Sequence, residues 1–255
     1  MTLSASARAA AWKAFIIDNT PQERLWLKAV REFFREQRDD VLANLIEAMP
    51  GKSLNTQVKA SVDDIVFDYD EEVEKFREIA DVRMKENIRA AGNATAERFR
   101  LGIDFDVENP RVRAYVRRFA AQLAKGINDT VRRQVRRELA EGLKEGENVR
   151  DLSKRVADVY QRVLDFNSER IARTETIRAS NFGALESYQQ AGAEKKEWMA
   201  ELDERVRDTH READGQVKAV DEPFDVGGEE LMFPGDPDGS PEETINCRCT
   251  VLPVT

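Results

Sequence analysis

The chain has 255 residues, 41% hydrophobic and 35% charged, with 7% aromatics and a formal net charge of −9. That length makes one large domain or two small ones with ample material for a core, the acidic balance excludes a general nucleic-acid coat, and no apolar run is long enough to span a bilayer. Cys247 and Cys249 have one residue between them and would close a strained ring, so free thiols in a reducing cytoplasm are expected. The opening, Met1 to Arg8, lacks the apolar core and cleavage pattern of a secretory signal.

From the start to about residue 192 the pattern is helix after helix. Thr20-Pro21-Gln22-Glu23 reads as an N-cap, a first-turn proline and the closing acid of a capping box. Trp26, Val30, Phe33, Phe34, Val41 and Leu45 then follow helical spacing up to a stop before Pro50-Gly51. After a linker from Gly51 to about Ala60, Ser61-Val-Asp-Asp64 opens a helix that is acidic early and basic late, as the helix dipole favours. Gly92-Asn93 reads as its stop, with a short helix to about Arg100 and a loop from Leu101 to Pro110 anchored by Ile103 and Phe105.

Pro110 opens a strongly periodic helix whose core face carries Val112, Tyr115, Val116, Phe119, Leu123 and Ile127, then Val131, Val135, Leu139 and Leu143; Gly142 and Gly146 mark its end. Asn148 caps the next helix, with Leu152, Val156, Val159 and Val163 inward, and Ser168 opens a last long helix that ends at Gly192. Beyond it, Lys195–Leu202 and Val217–Val220 read as strands, and 221–245 as mostly loop. Cys249–Val254 reads as a final strand that pairs with the strand containing Trp198. The expected fold class is α+β: a mostly helical N-terminal two-thirds, then a small loop-rich α+β module with a short sheet. The divisions are 1–60, an N-terminal helical arm; 61–146, a helical region with a basic helix; and 147–255, the C-terminal module.

Two features invite function. The first is the basic helix, where Arg111, Arg113, Arg117, Arg118, Arg132, Arg133, Arg136 and Arg137, with Lys125, face a single acid, Asp129. Such a stripe in an acidic chain suits phosphate contacts; it equally suits a solvated face paired with neighbouring acids. The aromatic residues in it, Tyr115 and Phe119, sit at core spacing, so base stacking is not indicated.

The second is the C-terminal constellation, which holds the sole histidine and both cysteines. His210, Cys247 and Cys249 are three zinc-ligand types, with Asp203 or Asp214 as candidates for a fourth, although Cys-x-Cys is a less usual spacing than Cys-x-x-Cys. A Cys–His nucleophilic pair, with Arg248 lowering the thiol pKa, lacks a marked third group or oxyanion hole. His210, Asn246 and nearby carboxylates could build a metal-assisted nuclease site. The structural reading makes Trp198, Asp203, Arg205, Arg207, His210, Asp214, Asn246 and Arg248 a polar staple: Asp203 pairs with Arg205 or Arg248, and Asp214-Gly215 forms a turn.

The run Ile171-Ala-Arg-Thr-Glu-Thr176, Asn181, Tyr188, Gly192, Trp198, Asp203-x-Arg-Val-Arg207, His210, Asp214-Gly215, Phe224, Phe233-Pro-Gly-Asp-Pro237 and Asn246-Cys-Arg-Cys-Thr250 resembles the phage Mu F-like head morphogenesis family. The resemblance covers roughly residues 147–255. It implies a non-enzymatic minor capsid protein of tailed phages or prophages, assembled in the bacterial cytoplasm and carried in the virion head. The implied partners are the portal protein, the major capsid or scaffold protein and double-stranded DNA, with no membrane. The alternative is a metal-dependent nuclease or injected effector enzyme with a His/Cys site. No cofactor is expected, zinc being the one candidate. Many members carry a Cys-x-x-Cys that would complete a zinc-like set; the matching positions here are Arg207 and His210. A guanidinium cannot ligate, so Arg207 is expected to bond loop carbonyls or Glu243 instead.

Overall fold

A computed structural model describes residues 3–49, 66–201 and 203–254. The predicted linker from Gly51, the stop at Pro50-Gly51, the Ser61–Asp64 cap and Leu202 lie outside the described residues. The elements are α1 (Ala5–Ala48), α2 (Tyr69–Arg98), α3 (Pro110–Glu145), α4 (Val149–Arg162), a π-helical turn at Val163–Asn167, α5 (Ser168–Gln190), β1 (Lys195–Met199), α6 (Asp208–Ala213), β2 (Val217–Ala219), β3 (Phe224–Val226), β4 (Glu229–Leu231), α7 (Pro241–Thr244) and β5 (Thr250–Val254). The helical N-terminal region and small antiparallel sheets of the C-terminal module are the expected α+β class. Packing groups the chain into two units: Met1–Trp26, Val82–Val116 and Arg170–Thr255 form the first, Leu27–Asp81 and Arg117–Glu169 the second. The units follow packing, whereas the divisions read from the sequence follow helix breaks and motif spacing.

Three helix boundaries differ from the sequence expectation. Thr20 is not an N-cap, because α1 runs straight through Pro21 and the Thr20 hydroxyl donates back to the Ile16 carbonyl at 3.1 Å. Proline inside a helix costs roughly 3 kcal/mol. Burial of Phe15 and Trp26 on its two sides, at about 1.5–3 kcal/mol each, offsets that. Gly92-Asn93 does not stop α2. Gly92 is there for packing: a β-carbon on it would meet the Phe105 ring at 2.5 Å. Gly142 likewise lies within α3, pressed against Leu152, and only Gly146, at φ +77°, follows the helix end. Ser168 does open α5, as expected, and follows the π-helical turn directly. Its hydroxyl donates to the Val163 carbonyl at 3.1 Å, closing the wide turn between α4 and α5.

Pro110 and Asn148 do open their helices, and the Asn148 side chain accepts from the Arg150 and Asp151 amides. Unit two buries Val30, Phe33, Phe34, Phe76, Val135, Leu139, Val156 and Val159. At its centre the Gln37 amide donates to Glu72 at 2.8 Å and to Asn128 at 2.7 Å, and the Tyr160 hydroxyl donates to the Gln37 oxygen at 3.1 Å.

In unit one, β1 pairs antiparallel with β2 and β5, giving the order β2-β1-β5, and Trp198 stands opposite Val251. Residues 221–245, expected to be mostly loop, contain the β3–β4 hairpin and α7. The hairpin turns at Gly227-Gly228, both at positive φ (63° and 82°), a turn that glycine pairs favour. Asn181 of α5 bolts this module to the helices. Its amide donates to the carbonyls of Pro234 at 2.9 Å and Cys249 at 3.0 Å, and its oxygen accepts from the Thr250 hydroxyl at 3.0 Å. Tyr188 donates to the Val251 carbonyl at 3.1 Å and Arg178 to the Gly235 carbonyl at 2.9 Å. Among the described residues no helix is long and apolar enough to cross a membrane.

Candidate functional site

Two segments converge beside β1. The short helix α6 presents His210, and the turn between α7 and β5 presents Cys247 and Cys249. Asn246 starts that turn in the left-handed region, φ 57°, and its amide donates to the Thr174 hydroxyl at 3.1 Å. This tight turn swings both cysteines to one side, where all three residues are buried. His210 Nδ1 lies 3.3 Å from Cys249 Sγ and 3.7 Å from Cys247 Sγ, and the three potential ligand atoms lie within 4.8 Å of one another. Trp198 backs the histidine edge-on, ring centroids 5.4 Å apart.

The other imidazole nitrogen, Nε2, stands 3.0 Å from Glu243 Oε2, off the line of a well-formed hydrogen bond. That carboxylate also accepts from the Thr209 hydroxyl at 2.8 Å. Gly227, at φ +63°, lies close against it; a β-carbon there would come within 2.8 Å of Glu243 Oε1.

The trio is electrostatically polarised. A hydrogen bond from Cys249, and then the neighbouring His210, draw the Cys247 thiol down to about 5 despite its burial. Burial pushes the Cys249 thiol well up. Burial also opposes a charge on His210, but the hydrogen bond and field of Cys247 more than offset it and raise the imidazole pKa. Backbone N–H groups of Cys249 and Glu201 favour the anionic sulfurs of Cys247 and Cys249 respectively.

Two soft sulfurs and an imidazole are a zinc-type donor set. Ligands at the usual Zn–N and Zn–S lengths in a tetrahedron stand about 3.5 Å apart, close to the observed nitrogen–sulfur separations. The residues therefore fit a metal ion. Asp203 and Asp214, the candidates for a fourth ligand, are engaged elsewhere. Asp203 holds Arg205 at 3.1 Å and Arg248 at 2.9 Å; Asp214 accepts from Arg8 at 2.7 Å and from the Ala200 amide at 2.9 Å.

The trio forms one wall of a cleft of about 420 Å³, also lined by Arg173, Arg205, Arg207, Arg248, Glu201 and Asn246. Arg207 donates to the Ile245 carbonyl, while Glu243 goes to His210 and Thr209 instead. Arg248 pairs with Glu201 at 2.6 Å. Of the eight residues of the expected polar staple, Arg205, Arg207, His210, Asn246 and Arg248 line this cleft, Asp203 sits behind it on Arg205 and Arg248, Trp198 lies behind His210, and Asp214 sits on the Arg8 side. The sequence pointed to Glu243 as a partner of Arg207 and not of His210, and it marked neither Thr209 nor Trp12. The Trp12 indole donates to the Arg248 carbonyl at 3.1 Å, and nothing in the local sequence marks so distant a partner.

On α3, Arg111, Arg113, Arg117, Arg118, Arg133, Arg136 and Arg137 are exposed and Arg132 is half-buried. Arg111 lies 3.3 Å from the buried Glu186, Arg137 pairs with Glu138 at 3.0 Å, and Arg132 covers the Tyr69 ring at 5.2 Å.

Residues 133–252 match the family described as Phage Mu protein F like protein. Among the chain's relatives is minor head protein GP7 of Bacillus phage SPP1, 34% identical over 119 residues, which are 45% of this chain and 38% of GP7. The uncharacterized protein YqbB of Bacillus subtilis is 28% identical over 197 residues, 74% of this chain and 63% of YqbB. The NAD(+)–arginine ADP-ribosyltransferase EFV of Enterococcus faecalis is 32% identical over 146 residues, 54% of this chain and 28% of the enzyme. The chain thus spans less than two-thirds of each of these curated relatives. No solved structure matches it.

Proposed function

We propose that this protein is a minor head protein that acts in procapsid assembly with the portal, alongside the major capsid or scaffold protein, and travels in the virion head. The observation that carries this reading is the Mu F-like segment together with the similarity to GP7, a minor head protein. The role is structural: the C-terminal module, stitched by Asn181, Tyr188 and Arg178, is a rigid docking unit, and the exposed arginines of α3 contact the phosphates of packaged double-stranded DNA. The test is co-purification with portal protein from procapsids, and loss of infectious heads when the gene is deleted. Normal infectious heads without it overturn the reading.

The DNA contact is tested separately. Arg133→Glu with Arg136→Glu is expected to lower affinity for a duplex of arbitrary sequence and to flatten its salt dependence by about one phosphate contact per arginine. An unchanged salt slope removes DNA from the list of partners. A second reading, an effector enzyme delivered with the genome, draws on the similarity to the ADP-ribosyltransferase. That similarity covers 28% of the enzyme, so it favours a shared module more than a shared activity. Transfer of label from NAD to arginine by the purified chain would favour this second reading.

A further inference from the structure

We propose that His210, Cys247 and Cys249 hold one zinc-class divalent ion through three protein bonds, and that the fourth coordination position opens on the arginine-lined cleft, where it takes a small anion. This inference is independent of the head-assembly role. It begins with the donor atoms. One imidazole nitrogen faces both sulfurs, at 3.3 and 3.7 Å, and all three residues are buried, so the trio faces one shared point. Bulk water does not solvate these sulfurs, and an ion there would meet two thiolates whose charges cancel its own.

Glu243 supplies the second argument. Metal-ligating histidines commonly present their remote nitrogen to a carboxylate, which fixes the ring and raises its basicity. Here Nδ1 faces the sulfurs and Nε2 faces Glu243 at 3.0 Å, with Glu243 itself held by Thr209 at 2.8 Å and hemmed in by Gly227. With a metal on Nδ1 the imidazole proton would sit on Nε2, 3.0 Å from that carboxylate. A plain hydrogen-bonded Cys–Cys–His trio does not require this outer partner.

The third argument concerns the fourth position. Neither of the candidate aspartates reaches the trio, since both are committed to arginines. Arg207, one turn before His210 on the same helical face, lines the cleft and cannot ligate. Three protein ligands with an open side define the metal sites that bind an outside ligand, whereas four close a structural site. An ion with two thiolates and a neutral imidazole carries no net charge. Of the arginines that line the cleft, Arg173 pairs with Glu23, Arg205 with Asp203 and Arg248 with Glu201 and Asp203, while Arg207 is held by the Ile245 carbonyl and brings the positive charge that selects an anion for the open position.

The experiment uses the full chain loaded with cobalt(II) in place of zinc. One ion per chain is expected to survive dialysis, with intense sulfur-to-cobalt charge transfer and the strong ligand-field bands of a tetrahedral site. Titration with thiocyanate, and separately with inorganic phosphate, should shift those bands. Arg207→Cys should keep the ion and lose the anion response, because the new thiolate closes the site. Glu243→Gln should keep the spectrum while weakening metal affinity about 10-fold or more. Failure of the wild-type chain to retain stoichiometric cobalt or zinc overturns the site. Retention with bands indifferent to both anions overturns the open position. Should either variant fail to fold by far-ultraviolet circular dichroism, the wild-type titrations decide both points alone.

Discussion

In unit two, Ser168 apart, the buried polar side chains meet at one place: Gln37, Glu72, Asn128 and Tyr160 knot together amid phenylalanines, valines and leucines. In the C-terminal part of unit one they are spread out. Asn181, Arg178 and Lys196 reach the carbonyls of Pro234, Gly235 and Met232 in turn, Asn181 also reaches that of Cys249, and Tyr188 reaches that of Val251 in β5. The difference follows from the backbone. Helices satisfy their own amides and carbonyls, so unit two needs few side-chain donors. A module of short strands and turns exposes carbonyls that something buried must meet. Polar residues in such a module are structural by necessity, which is why a chemistry-rich stretch of sequence is not by itself an active site.

Three changes break or sharpen this contrast. Asn181→Ala should have the largest effect, because it strands two buried carbonyls and one hydroxyl at once. The expected loss is about 3–5 kcal/mol in urea unfolding. Gln37→Met should cost about 2–4 kcal/mol by leaving the Glu72 carboxylate and Asn128 short of a donor in unit two. If Gln37→Met proves the costlier of the two, the contrast between knot and distributed bolts is wrong.

The smallest effect concerns Lys196, whose ammonium donates to the Met232 carbonyl at 2.8 Å and covers the Phe224 ring. Burial lowers its pKa from 10.5 to about 8. Below pH 8 both folded and unfolded chains carry the charge, and the full cost of burying it applies. Between 8 and 10.5 the unfolded chain holds a proton that the folded one has released, so this residue's contribution to stability rises with pH and then levels off. Unfolding at pH 8 and at pH 10 should therefore show the wild type gaining about 1–3 kcal/mol relative to Lys196→Met. A difference that does not change with pH would place the proton elsewhere.

Much of this was legible in the sequence because it is local. Pro110 and Asn148 announce helix starts through their own backbone chemistry, and the β-like runs around Trp198 and Val251 announce two strands that do pair. The hairpin at Gly227-Gly228 was not read, because the acidic and proline-rich surroundings masked the three-residue strands on either side. What else could not be read is set by distant partners. Gly92 looks like a stop until Phe105 is seen against it, and Pro21 looks like a start until the burial of Phe15 and Trp26 is known. At the candidate site, His210 and the cysteines could be picked out by type. Glu243, expected from the sequence as a partner of Arg207, stands instead against His210 Nε2.

The bond from the Trp12 indole to the Arg248 carbonyl has a mechanical consequence. Arg248 is the single residue between the two cysteines, so the peptide that sets their spacing is tethered to the opening turns of α1. A pull on those turns must either snap that tether or shift both sulfurs together. The first helix is thus a lever on the thiol pair, and anything that grips residues 3–15 gains a grip on the cysteines some 230 positions away along the chain.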